Sequence, residues 1–257
     1  MDILSNNETN KIFSEKKYYY KKILDLSDFT NIRKIDDFAF TNSKFLFEKI
    51  ILPPNLEIIG IGAFAHNKLK KVVFNKKLKF ISESAFENNL IENVNFNEQL
   101  EKIDDFAFAN NKLKKIVFNK GINFIGEGSF ADNFIENIEF YKKNVKVKNL
   151  PFWNNNIKTI IFNNSRNIVV CEGEIKNINE IIININETNK QNNKKIKFKH
   201  LLLTHLTKYQ EFYNLKKIIY KTPQKNKAIK SLLKVSLSIK DLSVKISNNT
   251  KIKEIKI

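Results

Sequence analysis

Six phenylalanines set a ruler along the chain. Phe40, Phe64, Phe86, Phe108, Phe130 and Phe152 follow one another at intervals of 24, 22, 22, 22 and 22 residues, in segments close to I-x-x-x-[A/S/P]-F-x-x-N. A fixed period near 22 specifies a solenoid, in which each supersecondary unit buries its apolar side against its neighbours. Function in such a chain belongs on a long repetitive surface rather than in one enclosed pocket.

With each marked phenylalanine as zero, apolar residues recur five before it and five, eight and ten after it, as in Ile103, Phe108, Leu113, Ile116 and Phe118. The later part of that unit alternates apolar and polar residues, which predicts a short parallel strand with one buried face. Small residues before the ring predict a tight turn or partial helical turn on the opposite side. The expected fold is therefore a repeat solenoid with a parallel β-sheet on its concave face and turns or short helical segments on the opposite edge.

Residues 1–19 form an N-terminal cap segment in this reading, and residues 20–184 the repeat array. Tyr20, Lys21, Lys22, Ile23 and Leu26 echo the strand sentence and open the array with a half-unit, while Ile178, Ile181 and Ile183 close it. A polar linker follows at 185–195. Within 196–257, Leu202, Leu206, Tyr209 and Tyr213 have helical spacing, whereas Leu215, Ile218 and Tyr220, then Ile252, Ile255 and Ile257, return to strand spacing. That basic stretch reads as divergent repeats or a C-terminal cap, since an exposed solenoid end must be covered.

Units such as Ile103-Asp-Asp-Phe-Ala-Phe-Ala-Asn-Asn-Lys-Leu-Lys-Lys-Ile-Val-Phe resemble the BspA-like leucine-rich repeats of many bacterial and some protozoan surface proteins. The resemblance covers about residues 20–184. It implies a leucine-rich repeat fold and a binding scaffold whose partners vary from member to member.

Composition narrows the rest. The single cysteine, Cys171, excludes an internal disulfide framework and a thiolate metal cluster. The segment Met1 to Asn10 lacks the basic-then-apolar order of a secretory signal, and the longest apolar runs fall far below the roughly 20 residues that span a bilayer. A cytoplasmic protein is the expectation, with the cell surface as the alternative that the resemblance implies. The formal net charge of +18 is uneven: residues 187–257 hold 18 lysines against Glu187, Glu211, Asp241 and Glu254, giving +14 and leaving +4 for residues 1–186. Abundant Lys, Asn, Ile and Phe also match what an A+T-rich coding sequence would produce.

If the strands stack in register, columns of side chains can be read directly. One residue after the first apolar position of each strand stand Glu48, Lys70, Glu92, Lys114, Glu136 and Lys158, alternating in sign over six rungs, which makes a pair of repeats the unit of duplication. Opposite charges on adjacent strands attract by roughly 0.2–1 kcal/mol per pair. The next outward columns hold Lys49, Lys71, Asn93, Lys115, Asn137 and Thr159, then Ile51, Val73, Asn95, Val117, Glu139 and Ile161. Of these, Lys49, Lys71, Val73, Asn93, Asn95, Lys115, Val117, Asn137, Glu139 and Ile161, with Tyr141, are the candidate protein-binding residues. Asn75, Asn97, Asn119 and Asn163 form a further column, interrupted by Tyr141, whose amides are expected to bond to one another along the array. Asn67, Asn89, Asn111, Asn133 and Asn155 are expected to end the turns in left-handed backbone.

Chemistry-bearing constellations do not assemble. Asp36–Asp37 and Asp104–Asp105 occupy one slot three rungs apart, about 14 Å, whereas carboxylates that share a bond cleavage sit about 5–9.5 Å apart. Gly60-Ile-Gly62 and Gly126-Glu-Gly128 lack the third glycine of a dinucleotide fingerprint. His200 and His205 would point about 140° apart on a helix; His66 stands alone in a turn, and Cys171 has no activating partner. Trp153 reads as packing beside Phe152. The chain is thus expected to be no enzyme, with no catalytic residue, metal or cofactor, and to act as a non-enzymatic scaffold for a protein partner through its concave sheet. The alternatives are a cell-surface adhesion protein, or anchoring to nucleic acid or an anionic surface through Lys194, Lys195, Lys197, Lys199, Lys216 and Lys217; there arginine is nearly absent, which argues against base-specific readout.

Overall fold

The computed structural model describes residues 2–163, apart from scattered positions within 6–18 and at 44–45, 143–144 and 149, and beyond them strands at 180–184, 217–221, 243–248 and 251–256. Over residues 2–163 the chain coils as a solenoid whose turns supply a sheet of short parallel strands, a face of longer parallel strands and a hydrogen-bonded turn edge.

The expected strand sentence builds the longer strands. β3 (Ile23–Asp25), β5 (Lys49–Ile51) and β7 (Lys71–Val73) pair in parallel, as do β10 (Lys115–Phe118), β12 (Asn137–Phe140), β14 (Thr159–Asn163), β15 (Glu180–Asn184), β16 (Lys217–Lys221) and β17 (Ser243–Asn248). Their register matches the columns read from sequence: Lys49 faces Lys71, Lys115 faces Asn137, and Asn137 faces Thr159. One rung breaks the ladder. Asn93 makes an isolated bridge to Lys71, and no strand forms around it. Asparagine disfavours extended backbone, and this rung has Asn93 where β7 and β10 carry Lys71 and Lys115, and Asn95 where they carry Val73 and Val117.

Five residues before each phenylalanine lies a second parallel sheet that the alternation rule does not reveal. It joins β1 (Ile3–Leu4), β4 (Lys34–Ile35), β6 (Ile58–Ile59), β8 (Phe80–Ile81), β9 (Lys102–Ile103), β11 (Phe124–Ile125) and β13 (Lys146–Val147). Its buried column is Ile35, Ile59, Ile81, Ile103 and Ile125. The third side of each coil is turn rather than helix among the described residues. It has its own ladder: the N–H of Phe64, Phe86, Phe108 and Phe130 each donates at 2.8 Å to the carbonyl just before the next marked phenylalanine.

The core runs between these three sides. The marked rings stack at centroid separations of 5.2, 5.3, 5.2, 5.5 and 5.6 Å from Phe40 to Phe152. A second column, Phe96, Phe118, Phe140 and Phe162, stacks beside them at 6.3, 4.9 and 5.3 Å and meets the first edge-to-face, as Phe96 does Phe108.

The opening half-unit differs from the expectation by one residue. Lys21 and Lys22, both with positive φ, form the two-residue turn of an antiparallel hairpin between β2 (Tyr19–Tyr20) and β3. Leu24, not Ile23, therefore pairs with Ile50 and is buried. At the other end β18 (Lys251–Lys256) pairs antiparallel with β17. The helical spacing at 202–213, His200, His205 and Cys171 lie outside the described residues.

Candidate interaction face

The outward residues of the long strands share one surface, as the period-two alternation requires. Lys71, Asn93, Asn95 and Lys115 are exposed, Val73 and Tyr141 are each 37% exposed, and Lys49, Val117, Asn137, Glu139 and Ile161 are half-buried. The residues are thus brought together, but their charges fall into two different settings. Lys115 pairs with Glu139 at 2.5 Å, and the Tyr141 hydroxyl donates to the same carboxylate at 3.3 Å. Lys49 and Lys71 stand opposite each other on adjacent strands, and among the described residues neither has a carboxylate within 4.0 Å. Like charges directly opposed on neighbouring strands repel. That corner of the face carries uncompensated positive charge beside the apolar Ile51 and Val73. Of the tail lysines, Lys217 lies on β16 and the others lie outside the described residues.

The alternating column is present, with ion pairs, among the described residues, at its ends only. Glu48 accepts from Lys22 at 2.8 Å and from Lys70 at 2.9 Å, and Glu136 pairs with Lys158. The two ammonium groups, Lys22 first, hold the Glu48 carboxyl down at a pKa of about 2. Glu92 and Lys114 make no ion pair among the described residues, because the interrupted rung at Asn93 removes the strand that would align them. A second charged row, unnoticed in sequence, runs along the approach to the short strands: Glu57 binds Lys79 at 2.8 Å and Arg33 at 2.6 Å, and its carboxyl is lowered by Lys79 and then Arg33. On that sheet Lys102, Lys146 and Lys148 lie within 5.2–5.8 Å of the Phe124 ring centre.

Both sets of asparagines act differently from the expectation. Asn67, Asn89, Asn111 and Asn133 are buried, and the left-handed residue is the one before each, His66, Asn88, Asn110 and Asp132. Their side chains instead bolt rung to rung. Asn89 Nδ2 donates to the carbonyls of Phe64 at 2.8 Å and Phe86 at 3.1 Å, while its Oδ1 accepts from the Leu69 N–H at 3.0 Å. In the other column, Asn75 and Asn97 donate to backbone carbonyls of the preceding rung rather than to each other's amides.

The acidic turn pairs are structural too. Asp37 and Asp105 each accept the backbone N–H of the following rung, Ile61 at 2.9 Å and Glu127 at 2.8 Å. Phe38 and Phe106, in left-handed backbone, lay their rings over Gly62 and Gly128, where an added Cβ would come within 2.7 and 2.5 Å of ring carbons. Trp153 is 44% exposed at a slot filled elsewhere by Ala65, Ala109 and Ala131. Exposed Leu46 and Phe134, which the strand pattern alone did not single out, stand two residues before Glu48 and Glu136. Among the described residues no group of three His, Cys, Asp or Glu side chains could hold a metal, and no helix is long and apolar enough to cross a membrane.

The profile of the BspA type leucine rich repeat region matches residues 11–135 and 107–225, with six copies. The chain belongs to the BspA-type leucine-rich repeat family. No curated protein matches it. Two solved structures are similar to this BspA-type repeat protein. One is a leucine-rich repeat protein from Bacteroides ovatus, 16% identical, with 84% of this chain and 64% of that chain covered and a TM-score of 0.35. The other is the pneumococcal vaccine antigen PcpA, 20% identical, with 86% of this chain and 72% of that chain covered and a TM-score of 0.30. The chain thus spans less than two thirds of the Bacteroides protein's length.

Proposed function

We propose that this BspA-type array is a non-enzymatic scaffold that binds a protein partner on the outward face of its long-strand sheet. The observation that carries the reading is the opposed pair Lys49 and Lys71, without carboxylate partners among the described residues and flanked by Ile51 and Val73. A partner presenting carboxylates beside apolar side chains relieves the repulsion and covers the apolar surface in one step. The preformed stack supports it, since many modest side-chain contacts on a surface whose backbone is already ordered sum with only the side chains' own ordering cost. The test replaces Lys71, Val73, Lys115 and Val117 together and compares capture of partner protein from a cell extract by the intact chain. Capture is expected to vanish while the circular dichroism melt stays nearly unchanged; capture that persists puts the partner on another surface.

A further inference from the structure

The edge leading into the long strands carries a pattern that the face proposal does not use. At equivalent positions of successive rungs stand Leu46, Lys68, Leu90, Lys112, Phe134 and Asn156. Leu46 is 57% and Phe134 61% exposed, Leu90 is half-buried, and Lys68 and Lys112 are exposed. Apolar and basic rungs therefore alternate through five consecutive coils, with the same two-repeat period as the neighbouring charge column. The lysines are not neutralised. Among the described residues Lys68, Lys112 and Lys114 have no carboxylate within 4.0 Å; Glu48 pairs with Lys22 and Lys70, and Glu136 with Lys158.

We infer that this edge docks an acidic amphipathic helix of a partner protein, laid along the stack. Rungs are about 4.8 Å apart, so like rungs recur about every 9.6 Å. A helix rises about 1.5 Å per residue and advances about 10.5 Å in seven. Apolar side chains at i, i+7 and i+14 then sit over Leu46, Leu90 and Phe134, and carboxylates at i+3 or i+4 and at i+10 or i+11 sit over Lys68 and Lys112. The drift over four rungs is about 2 Å, within the reach of flexible lysine stems. An extended segment fits worse, since its same-face side chains recur about every 6.7 Å. A uniform polyanion fits worse again: it gains nothing from Leu46 and Phe134, and it meets Glu92, which makes no ion pair among the described residues and stands between the two basic rungs. Anchors at helical spacing in an apolar groove are a general mode of peptide recognition.

The probe is a labelled peptide of about 18 residues with Leu at i, i+7 and i+14 and Glu at i+3, i+4, i+10 and i+11, titrated with the full chain by fluorescence anisotropy. It is expected to bind at least about tenfold more tightly than a scrambled peptide of the same composition. Lys68→Glu with Lys112→Glu, and separately Phe134→Ser, should each weaken it about tenfold or more, with unchanged melting because all three side chains are exposed. If the charge reversals alter the melt, Lys68→Gln with Lys112→Gln carries the same test. The four-residue face variant should bind the peptide normally, so failure here and failure of the face proposal are separate results. Equal binding of the scrambled peptide overturns the inference. So does a sulfated polysaccharide or single-stranded oligonucleotide that binds wild type and Phe134→Ser alike while displacing the peptide, which would make the edge a generic polycation.

Discussion

Asn111 shows how one side chain holds two rungs. Its Nδ2 donates to the carbonyls of Phe86 at 2.9 Å, Phe108 at 3.2 Å and Ala109 at 3.2 Å, and its Oδ1 accepts from the Ile91 N–H at 3.0 Å. Donor and acceptor are both needed in a buried space of that size, a combination that aspartate and leucine both lack. Asn111→Ala leaves the Ile91 N–H buried without a partner and should cost roughly 1–3 kcal/mol in urea unfolding. Asn111→Asp keeps the acceptor, loses both donors and buries charge, so it should be no milder. If both variants unfold with wild type, the ladder does not hold the rungs. The five asparagines are plain in the sequence, but their role is not. Each follows a residue of varied type, often polar itself, and either of the two could have taken the left-handed backbone; only the ring of donors and acceptors around Asn111 separates them.

At the scale of the strand, the alternating charges illustrate what register alone can and cannot secure. Glu48 and Lys70 lie on paired rungs and touch, whereas Glu92 and Lys114 share the interrupted rung and its neighbour and do not. A double-mutant cycle at Glu48 and Lys70 should give a favourable coupling that salt weakens, and a cycle at Glu92 and Lys114 should give strict additivity. Equal coupling in the two cycles would show that the rung at Asn93 is an ordinary strand. The pair also sets a pH dependence. The folded-state pKa of Glu48, about 2, lies below its ordinary value of 4.5, so its contribution is complete above about pH 4.5 and disappears as pH falls toward 2. The difference in melting temperature between wild type and Glu48→Gln should shrink as pH falls across that window. The long strands were legible because they alternate, and the short ones were not. Two residues are too few to show a period, and their outward slots hold Lys34, Ile58, Phe80, Lys102, Phe124 and Lys146, polar and apolar without order.

Over the whole molecule, stability is a chain of nearest-neighbour contacts, so position along the stack decides how damage spreads. Phe108 is fully buried, stacked between Phe86 at 5.2 Å and Phe130 at 5.5 Å, and met edge-on by Phe96. Phe108→Ala should cost roughly 3–5 kcal/mol, because rings fixed by both sheets and by the turn ladder cannot collapse into the cavity. Phe40 packs against Phe64 in the same manner, close to the N-terminal hairpin. The two losses should differ in kind. A weakened central interface uncouples the coils on either side, so Phe108→Ala should broaden or split the thermal transition and raise hydrogen exchange in the rungs of both Phe86 and Phe130. Phe40→Ala should fray the first coils and leave exchange at Phe130 at the wild-type rate. A single sharp transition for Phe108→Ala, with exchange raised evenly from end to end, would mean that the described coils unfold as one cooperative unit, and that their stability cannot be divided rung by rung.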